Sequence, residues 1–203
     1  MGNTSSTTNS RMALYAMPFM MNTSREMMFD LRDTCVRRSS LVGDQLMISR
    51  LDFHASMTEV GIEEVPDFDV FDNLFTMFDK TGDNAVYTIL FLSSISCLVC
   101  KEDITAKFSF SLQMLDIDRI GYINKGEMLS LLVGINATAS YLGDSVIMPK
   151  QIEVAVTDAY EKKERIQYSN HSELDPILTH PNVVQFINAA GTMRYGHSKV
   201  GVY

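Results

Sequence analysis

Apolar residues recur at helical spacing along this chain, and several of the stripes run into short polar segments. Phe71, Leu74, Phe75 and Phe78 fall at i, i+3, i+4 and i+7, the spacing of one buried helix face. Phe108, Leu112 and Leu115 repeat with helical spacing, accompanied by Phe110 and Met114. Met128, Leu131, Leu132 and Ile135 repeat the i, i+3, i+4, i+7 stripe. Helices are therefore expected before residue 79, before residue 116 and after residue 127. Thr23-Ser-Arg-Glu26 has the form of a capping box, with Thr23 accepting from the Glu26 N–H while Glu26 reaches back, and opens a helix that runs to Arg38. Glu59 to Asp72, rich in acids around Pro66, reads as a charged turn. Pro181 to Ala190 carries Val183, Val184, Phe186 and Ile187 and reads as a short helix stopped by Gly191.

The polar segment between the second and third stripes, residues 116–127, reads Asp-Ile-Asp-Arg-Ile-Gly-Tyr-Ile-Asn-Lys-Gly-Glu. A 12-residue calcium loop needs oxygen donors at positions 1, 3, 5, 9 and 12, a backbone carbonyl at 7 and glycine at 6. Asp116, Asp118, Asn124 and Glu127 stand at positions 1, 3, 9 and 12, Gly121 at 6, and Tyr122 lends its carbonyl at 7. Position 5 is Ile120, which offers no oxygen. The grammar is that of an EF-hand with one ligand replaced by hydrocarbon, hence a weakened or vestigial calcium site.

Position 8 of such a loop is apolar and pairs with a neighbouring loop, so Ile123 anchors a search for others. Val86 lies 37 residues earlier, behind Asp79, Thr81 and Asp83 at positions 1, 3 and 5 of a loop that lacks glycine at 6 (Asn84) and glutamate at 12 (Leu90). Asn84 tolerates the left-handed backbone that position requires, at some cost. Ile48 lies a further 38 residues back, in a loop expected over Leu41–Asp52 with Gly43, Gln45 and Ser49 at ligand positions but no acid at position 1. Ile166 lies 43 residues beyond Ile123, in a loop expected over Ala159–Asn170 with Lys163 at position 5. An ammonium there repels a cation. The repeat implies an all-α fold of four EF-hand units in two paired lobes with mostly degenerate loops. The usual odd-even order would pair Ile48 with Val86 and Ile123 with Ile166; the other order would pair Val86 with Ile123. The expected organisation is a leader at 1–22, a first, degenerate pair at 23–100, a second pair at 101–190 and a tail at 191–203.

Residues 101–129 resemble the third EF-hand of the calmodulin superfamily, in the branch that holds neuronal calcium sensors, potassium-channel-interacting proteins and the flagellar protein calaxin. That resemblance implies a protein that works by binding other proteins. It suggests two settings: a ciliary or flagellar axoneme, where such proteins join the cytoskeleton, or a membrane. Met-Gly-Asn-Thr-Ser-Ser opens the chain, and Gly2 with Ser6 fits the myristoylation pattern. One acyl chain without a basic cluster supports only a weak, reversible membrane contact.

Composition narrows the function classes. A net charge of −8 and a pI near 4.9 argue against nucleic acid as partner. The longest apolar run, Val86 to Cys100, falls in the exiting helix of the second hand, is broken by Ser93, Ser94 and Ser96 and falls short of a membrane span. Cys97 and Cys100 form a lone Cys-x-x-Cys without the further ligands that zinc needs. They read as buried reduced thiols and place the chain in a reducing, cytoplasmic compartment. Asn3, Asn22, Asn136 and Asn170 head glycosylation sequons by chance on that reading. No Gly-rich phosphate loop, nucleophile elbow or His-Glu-x-x-His helix is present, so no enzyme is expected. Fourteen methionines are adaptable contact residues. The cluster Met17, Met20, Met21, Met27 and Met28 either packs into the groove of this protein or meets a partner.

The favoured reading is an adaptor that requires no cofactor and clasps an amphipathic helix of a larger structural protein, largely independently of calcium. Phe71, Phe75, Phe78, Met114 and Met128 are expected near that groove. The alternative is a myristoylated calcium sensor with one weak site, formed by Asp116, Asp118, Tyr122, Asn124 and Glu127, regulating a membrane or signalling partner.

Overall fold

The structure, a computed structural model, describes residues 23–62, 65–100, 104–141 and 147–183. The leader with its Gly2 lipidation candidate, the tail and most of the helix expected at 181–190 lie outside the described residues; of that helix, 181–183 are helical and Val183 is buried in the core.

The chain is mostly helical, with two small antiparallel sheets. The order is α1 (Arg25–Arg38), β1 (Ser40–Val42), β2 (Gln45–Ser49), α2 (Arg50–Glu59), α3 (Val65–Phe78), β3 (Ala85–Tyr87) and α4 (Thr88–Ser96). It continues with α5 (Ile104–Leu115), β4 (Tyr122–Asn124), α6 (Lys125–Tyr141), α7 (Pro149–Ala159), β5 (Arg165–Gln167) and α8 (His171–Leu178). Strand β2 pairs with β3, Ile48 opposite Val86, and β4 pairs with β5, Ile123 opposite Ile166. These are the residues that the repeat singled out, in the odd-even order. All four side chains are buried, so each short strand contact sits on top of a core and fixes two helix pairs against each other.

Three local expectations are corrected. The cap of α1 is Ser24, not Thr23: the Ser24 hydroxyl accepts from the Met27 N–H at 3.1 Å, one residue later than the box suggested. Thr23 is itself buried, so its side chain is directed into the protein. The charged turn is shorter than 59–72, because α3 begins at Val65. Pro66 falls in its first turn, where a missing N–H breaks no intrahelical bond. Residues 41–52 are not an open 12-residue loop either. Strand β1 folds back on β2 through Val42-Gly43-Asp44-Gln45, with Gly43 at φ +66°, a tight hairpin that adds a third strand to the first sheet. Leu41, at the position of the first ligand, is 68% exposed on that strand.

Helix α4 is the centre of the molecule. Thr88, Phe91, Leu92, Ser93, Ser94, Ile95 and Ser96 are all buried and Ile89 and Leu90 half-buried, as expected of a helix enclosed on most of its surface. Its serines turn inward without penalty, because Ser93 Oγ donates to Ile89 O and Ser94 Oγ to Leu90 O, both at 2.6 Å. Helices α1, α5 and α6 pack around it, so the two pairs share one core. Gly134 of α6 crosses α4 so closely that a Cβ there would lie 1.9 Å from Ser94 Oγ. Helix α1 is fastened to α5 by Arg25, whose guanidinium donates to Ala106 O at 3.3 Å and lies over the Phe110 ring, and by Arg32 donating to Gln113 O at 3.0 Å.

The first pair has its own bolt. Arg50 at the start of α2 donates to Asp72 of α3, to Thr76 Oγ1 at 3.0 Å and to Asn84 Oδ1 at 3.2 Å, and stacks on Phe75. His54 Nε2 meets Asp72 Oδ1 at 2.6 Å. Burial works against the Asp72 charge, yet the hydrogen bonds from His54 and Arg50 hold its carboxyl below the ordinary carboxylate range. Its contribution to stability is therefore present above that range and is lost as pH falls through the lowered value. Cys35, Cys97 and Cys100 are buried thiols that form no disulfide with one another. Burial pushes the Cys97 thiol up to about 12, which leaves it an unreactive core group. Asn136 exchanges hydrogen bonds with the Ile147 backbone, a structural use for a residue that heads a sequon. Among the described residues no helix is long and apolar enough to cross a membrane.

Candidate functional site: a self-capped loop and an open apolar cavity

Residues 116–127 connect α5 to α6 in the shape that the glycine predicts, with Gly121 at φ +84° and Arg119 also left-handed at +54°. Asp116 is buried and its carboxylate is fully engaged. One oxygen accepts from the Ile120 N–H at 3.0 Å; the other accepts from the Gly121 N–H at 2.7 Å and from the Tyr168 hydroxyl at 3.0 Å. Tyr168 comes from the segment after β5, so the second loop of the pair reaches across and closes the first. Burial, and then the hydrogen bond to Asp116 and its charge, push the Tyr168 hydroxyl up to about 12. It stays a donor throughout the neutral range.

The other expected ligands point elsewhere. Glu127 Oε2 accepts from the Asn124 N–H at 2.8 Å, while Asn124 Oδ1 accepts from the Glu127 N–H at 3.0 Å. This reciprocal box caps α6 with the two side chains that would have supplied positions 9 and 12. Asp118 and Ile120 face solvent, and the Tyr122 side chain is 44% exposed on β4. Among the described residues no three acids, histidines or cysteines converge on a point where an ion would sit. As arranged, the acceptors of Asp116, Asn124 and Glu127 serve the chain's own donors, and Asp118 faces solvent.

The neighbouring loops follow the same logic. Asp79 accepts from the Gly82 N–H at 2.8 Å and the Asn84 N–H at 2.9 Å, and Asn84 adopts the left-handed backbone expected of it, at φ +58°. In the segment between α7 and α8, Lys163 lies 3.5 Å from Glu173 at the start of α8. Tyr160, at the end of α7, donates to Ile123 O at 3.0 Å, tying that helix to β4.

Substituting Tyr168 by phenylalanine removes one of three donors to a buried carboxylate. The expected loss is about 1.5 kcal/mol, the lower end for a hydrogen bond to a charged group, read as a lower urea midpoint at unchanged slope. An unchanged midpoint would mean that Tyr168 contributes nothing to closing the loop.

The groove residues divide. Phe71, Phe75, Met114 and Met128 are wholly buried, so these four are core and not a binding face. Phe78 alone of the five lines an open cavity of about 590 Å³. Its other walls are Met77 of α3, Val86 and Tyr87 of β3, Leu90 of α4, and Leu129, Val133 and Ala137 of α6. Lys80, Thr81, Asp83 and Ser130 supply polar groups. Val42 and Tyr87, 62% and 49% exposed, extend the apolar surface onto the sheet. Leu129, Val133 and Ala137 recur at i, i+4 and i+8, a second apolar stripe on α6 beside the Met128-Leu131-Leu132-Ile135 stripe that enters the core. That doubled stripe is the sequence signal for the cavity.

No protein-family model matches this chain, and neither does any curated protein or solved structure.

Proposed function

We propose that the chain is an EF-hand adaptor of four hands that holds a helical segment of a larger assembly, largely independently of calcium. The observation that supports this reading is the open apolar cavity walled in part by α6, together with a loop leading into α6 whose Asp116, Asn124 and Glu127 are already engaged by the chain's own donors. A cavity of this size with apolar walls and a few polar groups is built to take a ligand, and a groove between helices suits the apolar face of an amphipathic helix. Calcium opens such grooves in sensor proteins by drawing loop ligands onto the ion. Here Asp116, Asn124 and Glu127 are tied into the loop, which favours a groove kept in one state. The resemblance to calaxin suggests the axoneme of a cilium or flagellum as the setting. No catalytic role is proposed.

The test is recovery of bound proteins from native material by the full chain, with calcium and with EGTA, beside a Val133→Asp variant that puts a carboxylate into the cavity. The adaptor reading expects the same proteins in both buffers and their loss from the variant. Recovery only with calcium would return the chain to the sensor class; full recovery by Val133→Asp would show that the cavity is not the contact.

A further inference from the structure

Helix α1 runs into a short basic sequence at the protein surface. Residues 37–41 read Arg-Arg-Ser-Ser-Leu. We propose that Ser40 is a phosphoryl-acceptor site for a protein kinase with an acidic cleft, and that a phosphate there weakens partner binding at the cavity. The second half rests on the proposal that the cavity is the binding surface.

Spacing and exposure single out Ser40. Arginines stand three and two residues before it, and Leu41 follows it. Two guanidiniums in that register offer planar forks to the carboxylates of a kinase, and the apolar side chain after the serine seats the segment. Ser40 and Leu41 are both exposed. They lie on β1, the edge strand of its sheet, and among the described residues no strand covers its outer side. Ser39 already leaves the helix with extended backbone, at φ −71° and ψ 149°. Arg37 and Arg38 sit in the last turn of α1, each 2.8 Å from Glu59 in surface ion pairs. Such pairs are screened and weak, so Glu59 competes poorly with a cleft of several carboxylates. Ser39 is the wrong serine. It is half-buried, its hydroxyl donates to Cys35 O and meets Thr88 Oγ1, both at 2.7 Å, and the arginines stand directly before it.

The transfer needs the kinase and magnesium ATP. The Ser40 oxygen bonds to the γ-phosphorus as the bond from that phosphorus to the bridging oxygen breaks. ADP leaves with the electron pair, and the hydroxyl proton passes to a carboxylate of the kinase. Placement then gives the consequence. Ser40 pairs with Met47, and Met47 with Tyr87. Residues directly opposite share a face of a sheet, as do residues two apart on one strand. Ser40, Val42, Met47 and Tyr87 therefore lie on one face, and the last three line the cavity. A phosphoserine carries about −1.5 to −2 charges at neutral pH. At the end of that row it sets a dianion against the surface on which an apolar helix face would lie, and covering it there costs its hydration.

The full chain, incubated with magnesium ATP and the catalytic subunit of cyclic-AMP-dependent kinase, tests the site, with mass spectrometry to locate the phosphate. Stoichiometric phosphate on Ser40 is expected, and its loss in Ser40→Ala. Arg38→Ala is expected to slow incorporation several-fold, and Glu59→Gln, which frees both arginines, to speed it. A merely loosened helix end would make both variants faster. No incorporation, phosphate on Ser39 in place of Ser40, or faster incorporation into Arg38→Ala would overturn the site. The phosphorylated chain is then compared with kinase-treated Ser40→Ala in recovery from native material, scored on the proteins that Val133→Asp fails to recover. Their several-fold loss on phosphorylation is expected. Undiminished recovery would overturn the switch and leave the cavity as the contact. Full recovery by Val133→Asp would overturn the cavity reading and the switch with it, while the Ser40 site stands on its own incorporation result.

Discussion

Replacing Phe91 by alanine is expected to lower stability by about 4 kcal/mol and the melting temperature by roughly 8–16 °C. Phe91 is wholly buried on α4 and is the hub of the aromatic cluster. Its ring centroid lies 5.2 Å from Phe53, 5.6 Å from Phe75 and 5.2 Å from Phe78, each close to edge-to-face. Phe53 and Phe75 are themselves stacked at 5.3 Å. Truncation removes the transfer free energy of the ring, leaves a cavity, and strips three ring contacts at once. Thermal melting by circular dichroism reads the loss. Phe91→Leu, which keeps most of the volume, should recover more than half of it. A loss below about 1.5 kcal/mol would fall well short of the roughly 3–5 kcal/mol usual for Phe→Ala at a packed core position, and would mean that α4 is not the centre of the core.

Gly134→Ala comes next. At an exposed helix position this change stabilises by up to about 1 kcal/mol. Here the added Cβ would meet Ser94 Oγ at 1.9 Å and Ser94 Cβ at 2.9 Å. Rotating the hydroxyl away answers the first clash but not the second, so the two helices must part. Overpacking of that kind costs about 1–3 kcal/mol. At the upper end of that range, less the propensity gain, the net loss is about 2 kcal/mol, or roughly 4–8 °C. Ser94→Gly removes both obstructing atoms and should rescue the alanine variant in part, giving a coupling of about 1 kcal/mol in a double-mutant cycle. Neutral or stabilising behaviour of Gly134→Ala would contradict the close crossing of α4 and α6.

These two positions also mark what the sequence made legible. The helical stripes ending at Phe78 and Leu115 and beginning at Met128 located three helices, because each has one wet face and one buried face. The residues Ile48, Val86, Ile123 and Ile166 were found by spacing, because a strand contact between loops has to lie at the same point of each unit. Helix α4 was placed by the repeat, as the exiting helix of the second hand, and not by a stripe. A helix buried over most of its surface has no clear stripe, and its serines look like interruptions until the 2.6 Å bonds to the carbonyls one turn earlier are seen. The hairpin at β1 and β2 was missed although Gly43-Asp44 between apolar runs is a turn signal. A 12-residue frame had been laid over it.

The site was legible in part. The loop over 116–127 was read correctly as a turn built on Gly121, yet its donors and acceptors pair with one another, which depends on Tyr168 arriving from 52 residues away. Stripe periodicity identified buried faces, so the residues it nominated for the groove, Phe71, Phe75, Met114 and Met128, are core. What remains uncovered depends on which neighbours are missing, and that is a property of the packed chain.

Hydrogen exchange of the full chain, compared in calcium and in EGTA, tests the central claim most directly. With Asp116, Asn124 and Glu127 serving the loop's own N–H groups, residues 116–127 and the cavity walls at 77–90 and 129–137 should show the same protection in both buffers. Protection of 116–127 that appears only with calcium, accompanied by a change along 129–137, would contradict the account and make the loop a working switch.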